Sequence, residues 1–149
     1  SMAVLDRISP AGFVRRAHEA QLARRGFDRL GVRAAGIEQP VGQLSGGNQQ
    51  KVVIAKWLAT KPRVIILDEP TRGIDVGAKA EVHRVIVELA QSGLAVLMVS
   101  SDLPEVLALS DRVLVMRGGQ IVRTFDRKDA TAEGIIAAAS GATLAEVTA

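Results

Sequence analysis

Two adjacent carboxylates, Asp68 and Glu69, follow a short apolar run at Val64–Leu67, and 23 positions before Asp68 a serine and two glycines, Ser45-Gly46-Gly47, open an apolar-periodic segment. A serine is a favoured helix N-cap, and glycines lack the Cβ that would keep a ligand away from backbone N–H groups. A helix N-terminus carries partial positive charge and orphan donors, which suit a phosphate. A continuous apolar run of this length is the pattern of a strand buried in a parallel sheet. Asp68 and Glu69 then emerge at its carboxyl end, where open α/β sheets bind ligands. Two neighbouring carboxylates there can divide the work of phosphoanhydride hydrolysis. Asp68 can hold Mg²⁺, directly or through water, while Glu69 polarises an attacking water. Each signal alone has an ordinary explanation, a helix cap or a strand reaching the surface. Their order and spacing together point to nucleotide chemistry.

The elements that must position these residues are legible in outline. Ser9-Pro10 opens a helix whose stripe of Phe13, Ala17, Ala20, Phe27 and Leu30 is expected to be buried. Gly26 is expected to weaken or break it. Arg15, Arg16, Arg24, Arg25 and Arg29 cover its other faces, a solvated basic surface into which His18 falls. Gly36–Gln43 reads as a loop, and a helix follows over roughly Gly46–Thr60, ended by Lys61-Pro62. Trp57 is expected where that helix meets the sheet. Val82, Ile86 and Leu89 mark an amphipathic helix closed by Gly93, with His83 in a structural or exposed place. Leu94–Val99 reads as a second buried strand. Asp102 and Glu105 have capping-box spacing for a short helix ending near Ser110. Arg112–Met116 and Gln120–Phe125 flank Gly118-Gly119 as a β-hairpin, and a last helix runs from Thr131 to Ser140 before a loose tail.

The 149 residues suffice for one domain or a large piece of one, and 48% hydrophobic with 23% charged residues is ordinary globular composition. A net charge of +3 permits nucleic-acid binding without demanding it. With no cysteine there is no disulfide and no thiolate metal site, which suits the cytosol. The apolar runs fall far short of the ~18 residues of a membrane span, so a soluble chain is expected. Ser1-Met2 reads as an expression remnant ahead of an internal fragment.

Leu44-Ser45-Gly46-Gly47-Asn48 resembles the signature motif of ATP-binding cassette (ABC) ATPases. Val64–Glu69 resembles their Walker B strand with its catalytic glutamate, and Gly73-Ile74-Asp75 their D-loop. The wording around both motifs, Gly-Gly-Asn-Gln-Gln-Lys and Asp-Glu-Pro-Thr-Arg-Gly-Ile-Asp-Val-Gly-Ala-Lys, is similar to the second cassette of sugar importers of the ribose/galactose/xylose type. The resemblance runs from about Leu5 to Arg127. It implies an α/β fold: part of a P-loop NTPase sheet with parallel strands, a helical subdomain at about 5–43, and a terminal β-hairpin. Residues 44–127 would carry the signature, Walker B, D-loop and switch region, and 128–149 a last helix and tail. It further implies ATP and Mg²⁺ between two cassettes. Ser45, Gly46, Gly47 and Asn48 would bind, in trans, ATP held by the other cassette. Asp68 would bind the metal, Glu69 would be catalytic, and Asp75 would communicate across the interface. The implied partners are that second cassette, transmembrane permease subunits and, indirectly, a periplasmic sugar-binding protein, with no nucleic acid. The implied place is peripheral, on the cytoplasmic face of the inner membrane.

Two departures qualify the resemblance. No lysine of the chain follows a glycine, so the phosphate-cradling P-loop is absent from it. The position of the family's switch histidine is Ser101, whose hydroxyl can give one hydrogen bond but carries no charge near neutral pH. Two rivals stand beside the importer reading: a soluble ABC ATPase acting on DNA or ribosomes, suggested by the arginine-rich first helix, and a non-catalytic interaction remnant. Without a P-loop, triphosphate positioning is lost. This polypeptide by itself is therefore expected to release no phosphate from Mg-ATP, and turnover like that of an intact cassette, in a contaminant-free preparation, would refute this.

Overall fold

The computed structural model describes residues 2–4 and 13–142, which divide after Val99 into two compact units. The expected helix start at Ser9-Pro10 and the loose tail beyond residue 142 lie outside the described residues. The first unit holds a 3-10 turn at Met2–Val4, helix α1 (Arg16–Leu30), a second 3-10 turn at Val41–Gln43 and α2 (Gly46–Leu58). Strand β1 (Val64–Asp68), helix α3 (Val76–Gln91) and strand β2 (Ala95–Val99) complete it.

The two strands run parallel, in register from Val64 opposite Ala95 to Asp68 opposite Val99. Successive side chains of a strand point to opposite faces. Ile65 joins Leu30 of α1, Ile54 of α2 and Val85 and Leu89 of α3 in one buried cluster, with Leu67 and Val96 packed against it. The other face, Val64, Ile66, Leu97 and Val99, is exposed, Ile66 to 67%. Both apolar runs were expected to be wholly buried. They are not, because the cluster lies on one side of the pair and alternation sends every second residue to the other.

Three expectations for the helices need correction. Phe13 precedes α1 and is 81% exposed, and Ala17 is exposed in its first turn. Neither joins a buried stripe, and Leu30, at the far end of α1, is its buried residue. Gly26 does not break the helix; a Cβ there would lie 3.2 Å from Ala55 Cβ, so its smallness lets α1 and α2 approach. Trp57 is half-exposed with the Lys56 ammonium 4.9 Å from its ring centroid. The inward stripe of α2 is Gly47, Lys51 and Ile54, and both residues 56 and 57 fall off it. The helix ends at Leu58, where the Thr60 hydroxyl donates to the Trp57 carbonyl at 2.7 Å and Lys61 adopts φ 56° before Pro62.

Lys51 is the unexpected member of that stripe, 1% exposed. Its Nζ donates to Glu81 Oε2 at 2.6 Å and to the Gly31 carbonyl at 3.2 Å, and the Arg33 guanidinium lies 3.3 Å from Glu81 Oε1. One ammonium thus ties α2 to α3 and to the carboxyl end of α1. Helix α3 is capped by Asp75, whose carboxylate accepts from the Ala78 N–H at 2.9 Å, and buries Val82, Val85, Ile86 and Leu89.

The second unit comprises α4 (Leu103–Leu109), the antiparallel pair β3 (Arg112–Arg117) and β4 (Gln120–Asp126), and α5 (Ala132–Ser140). The Asp102 carboxylate accepts the Glu105 N–H at 2.9 Å. The reciprocal half of the box passes through Ser100: its Oγ accepts the Asp102 N–H at 3.0 Å and donates to the buried Glu105 carboxylate at 2.5 Å. Gly118 and Gly119, with φ of 57° and 78°, make the tight turn for which both central residues must have positive φ. Among the described residues, no helix is long and apolar enough to cross a membrane.

Removing the carboxylate leaves the buried Lys51 ammonium without its charged partner, so Glu81→Ala is expected to lower stability in urea unfolding. Lys51→Met should cost less, since it removes the desolvated charge itself. The hydrogen bond from Lys51, then the charges of Lys51 and Arg33, hold the Glu81 carboxyl below its ordinary value of 4.5. The folded state therefore favours the ionised form. That stabilisation is complete above pH 4.5 and is lost as pH falls through the lowered value. Unfolding curves of the unmutated protein and of Glu81→Gln should converge on acidification through that range.

Candidate functional site

Ser45 occupies the N-cap position of α2, with φ −61° and ψ 153°, yet its side chain makes no capping hydrogen bond. Its Oγ accepts instead from Asn48 Nδ2 at 2.8 Å, while Asn48 Oδ1 accepts from the Arg33 N–H at 2.8 Å. The first turn of α2 therefore keeps its N-terminal donors without a cap from Ser45. That leaves the positive end of the helix dipole open to an anion. Gln49 Nε2 donates to the Leu44 carbonyl at 2.8 Å and fixes the chain entering the turn.

The two glycines have a second purpose that their spacing did not reveal. A Cβ on Gly46 would stand 2.8 Å from Ile74 Cγ2, and one on Gly47 would stand 2.6 Å from Ala78 Cβ. The structure thus brings the Ser45–Asn48 turn against the Gly73–Asp75 loop and the first turn of α3. Asp75 serves within this contact as the cap of α3.

Asp68 ends β1 on the exposed face of the strand pair, where its neighbours are Ile66 and Val99. Glu69 continues the ladder by one bond, its N–H donating to the Val99 carbonyl at 2.8 Å, and then adopts φ 46°. A left-handed conformation at a residue with a Cβ costs about 1–2 kcal/mol. It turns the chain sharply between Asp68 and the buried Pro70-Thr71, and the Arg72 N–H closes the turn on the Glu69 carbonyl at 3.1 Å. Strain of this kind concentrates at functional sites. Ser101 belongs to the second unit, between Ser100 and the cap Asp102 of α4.

Residue types alone did not disclose Lys51, Glu81, Arg33, Ile74 or Ala78 as supports of this site. For Lys51 a signal existed. It lies four after Gly47 and three before Ile54, on the stripe that helical periodicity assigns to the interior.

A family profile described as ABC transporter matches residues 3–72. The chain is 58% identical over 137 residues to the Ribose import ATP-binding protein RbsA 1 of Rhizobium meliloti (strain 1021). It is 59% identical over 137 residues to the Ribose import ATP-binding protein RbsA of Roseobacter denitrificans (strain ATCC 33942 / OCh 114). Each alignment covers 92% of this chain and 27% of the relative, so the chain spans about a quarter of the length of these relatives. Among solved structures, the ADP conformation of an ATP-binding cassette of an ABC transporter superposes with a TM-score of 0.68 at 26% identity. That superposition covers 86% of this chain and 48% of the other.

The close approach at Gly47 generates a testable outcome. Neither Ala78 Cβ nor the backbone behind it can swing away, so Gly47→Ala should destabilise by about 1–3 kcal/mol, as overpacking does. Ala78→Gly should recover most of that loss in the double variant, measured by thermal unfolding. Equal loss with and without Ala78→Gly would mean that the contact is not the reason for the glycine.

Proposed function

Because the chain belongs to the ABC transporter ATPase family, we propose that it is part of the ATP-hydrolysing subunit that powers sugar import through a bacterial ABC transporter. The observation that carries this reading is the uncapped α2 N-terminus held against the Gly73–Asp75 loop, in a chain 58% identical to a ribose import ATP-binding protein. In the assembled protein two cassettes enclose ATP. Residues 44–48 complete the site built on the opposing cassette, the Ser45 hydroxyl and the first N–H groups of α2 donating to the terminal phosphate. Asp75, immobilised as a helix cap, faces the partner cassette.

Asp68 and Glu69 serve the site on their own side. Asp68 suits Mg²⁺ held largely by substrate oxygens, since it stands exposed at a strand end. Among the described residues no three His, Asp or Glu gather into a cage, and such a Mg²⁺ site does not need one. The ion, when bound, neutralises charge on the phosphates. Glu69 orients the attacking water from a backbone turned by its positive φ. Ser101 stands at the position of the family's switch histidine and offers a neutral hydrogen bond where a histidine could carry charge, from which we expect the slower of the parent protein's two ATP sites on this side. The partners are the second cassette, permease subunits that receive the helical subdomain at about 5–43, and a periplasmic sugar-binding protein acting through the permease. The subunit works peripherally on the cytoplasmic face of the inner membrane.

The reading is tested in the full-length protein assembled with its permease, by Mg-ATP turnover and uptake of labelled ribose at matched expression. Ser45→Arg blocks the phosphate approach and should abolish both, whereas Glu69→Gln should leave a substantial fraction of each. Equal loss in the two variants would mean that both sites fire, and loss only in Glu69→Gln would reverse the assignment.

A further inference from the structure

We infer that Asn48 is a positioning residue for the Ser45 hydroxyl: it prevents Ser45 from capping its own helix and aims the hydroxyl proton outward, toward phosphate. The inference rests on the reading of Ser45 as a phosphate donor. Serine at an N-cap ordinarily accepts from the second or third N–H of its helix. Here it does not, although its backbone has the N-cap conformation. The difference is Asn48, whose Nδ2 donates to Ser45 Oγ at 2.8 Å.

The direction of that bond is set from outside the pair. The Arg33 N–H can donate only, and it meets Asn48 Oδ1 at 2.8 Å. The amide oxygen is thereby turned to Arg33, and the NH₂ group is left for Ser45. A hydroxyl that accepts through a lone pair retains its own proton for another acceptor. Arg33 is itself held by Glu81, and Gly31, two residues before it, by Lys51. The orientation of one hydroxyl is thus referred back to the ion pair of the buried Lys51 with the partly exposed Glu81.

The chemistry has two consequences at the open helix end. The donors that a Ser45 cap would quench stay available to a phosphate oxygen. The serine adds an O–H donor to the same anion. Both are fixed before substrate arrives, which is the condition under which such donors lower a barrier.

The test is a double-mutant cycle in the full-length protein with its permease, reading kcat and KM for Mg-ATP with thermal unfolding of each variant. Asn48→Ala should lower kcat by about 10-fold or more when Ser45 is present, somewhat less than loss of a whole oxyanion donor. In the Ser45→Ala background the same change should alter kcat by no more than about twofold, because coupled residues are non-additive. Asn48→Asp keeps the bond from Arg33 N–H but cannot donate to Ser45. Should Asn48→Ala fail to fold, the kcat loss in Asn48→Asp must likewise shrink once Ser45 is alanine. Losses of the same size in both backgrounds, or no loss in either, overturn the inference. Failure of the functional reading has a different signature: the unmutated protein turns over no Mg-ATP, and the inference falls with its basis.

Discussion

The first unit depends on an ammonium group taken out of water. Desolvating a lysine costs several kcal/mol unless its charge and its donors are answered. Lys51 is answered by the Glu81 carboxylate on α3 and by the carbonyl of Gly31, just past the end of α1. An apolar side chain at this position would accept many rotations of α2 about its axis. An ammonium with two fixed acceptors, one of them charged, accepts a narrow range. The pair therefore sets how α2 sits between α1 and α3, and everything carried on the first turn of α2 inherits that setting.

The inheritance is geometric. Gly47 lies four residues before Lys51 on α2, and Ala78 lies three before Glu81 on α3, so each pair of residues shares a helix face. Contact between the two helices begins with Gly47 on Ala78 and continues through Lys51 with Glu81. Two consecutive glycines at a helix start are each about 1 kcal/mol worse than alanine for the helix. The cost is accepted because only hydrogen at both positions lets Ile74 and Ala78 come this near. The same absence of Cβ leaves the backbone N–H groups at this helix end uncovered by a side chain of their own.

The carboxylate end of β1 follows a different logic. Asp68 stands on the exposed sheet face, and Glu69 leaves it in a left-handed conformation with its N–H still bonded to Val99. The parallel register brings Asp68 opposite Val99, so the two strands end together and the turn at Glu69 starts from a fixed platform. The face carrying Val64, Ile66, Leu97 and Val99 is apolar and exposed. Parallel strands are ordinarily covered on both faces, which accords with a chain that spans about half of the cassette it superposes on.

What the residues determined by themselves was local. Asp75, Asp102 and Thr131 cap their helices as short side chains in extended backbone do, and Gly118-Gly119 turns the hairpin because both positions need positive φ. The periodicity of Val82, Ile86 and Leu89 placed a buried face on α3. Burial of whole strands is not legible in an apolar run, which does not say how many faces a neighbour will cover. Phe13 and Trp57 are exposed for a like reason: apolarity marks a candidate for the core, but the direction of the residue on its helix or beyond its end decides. Periodicity sets Lys51 on the inward stripe of α2, but its partners, a carbonyl and a carboxylate 20 and 30 residues away, come only with the packing of α1 and α3. The tertiary structure alone decided that Ser45 does not cap its helix, because the competing donor on Asn48 is oriented by an Arg33 N–H fifteen residues earlier in the chain.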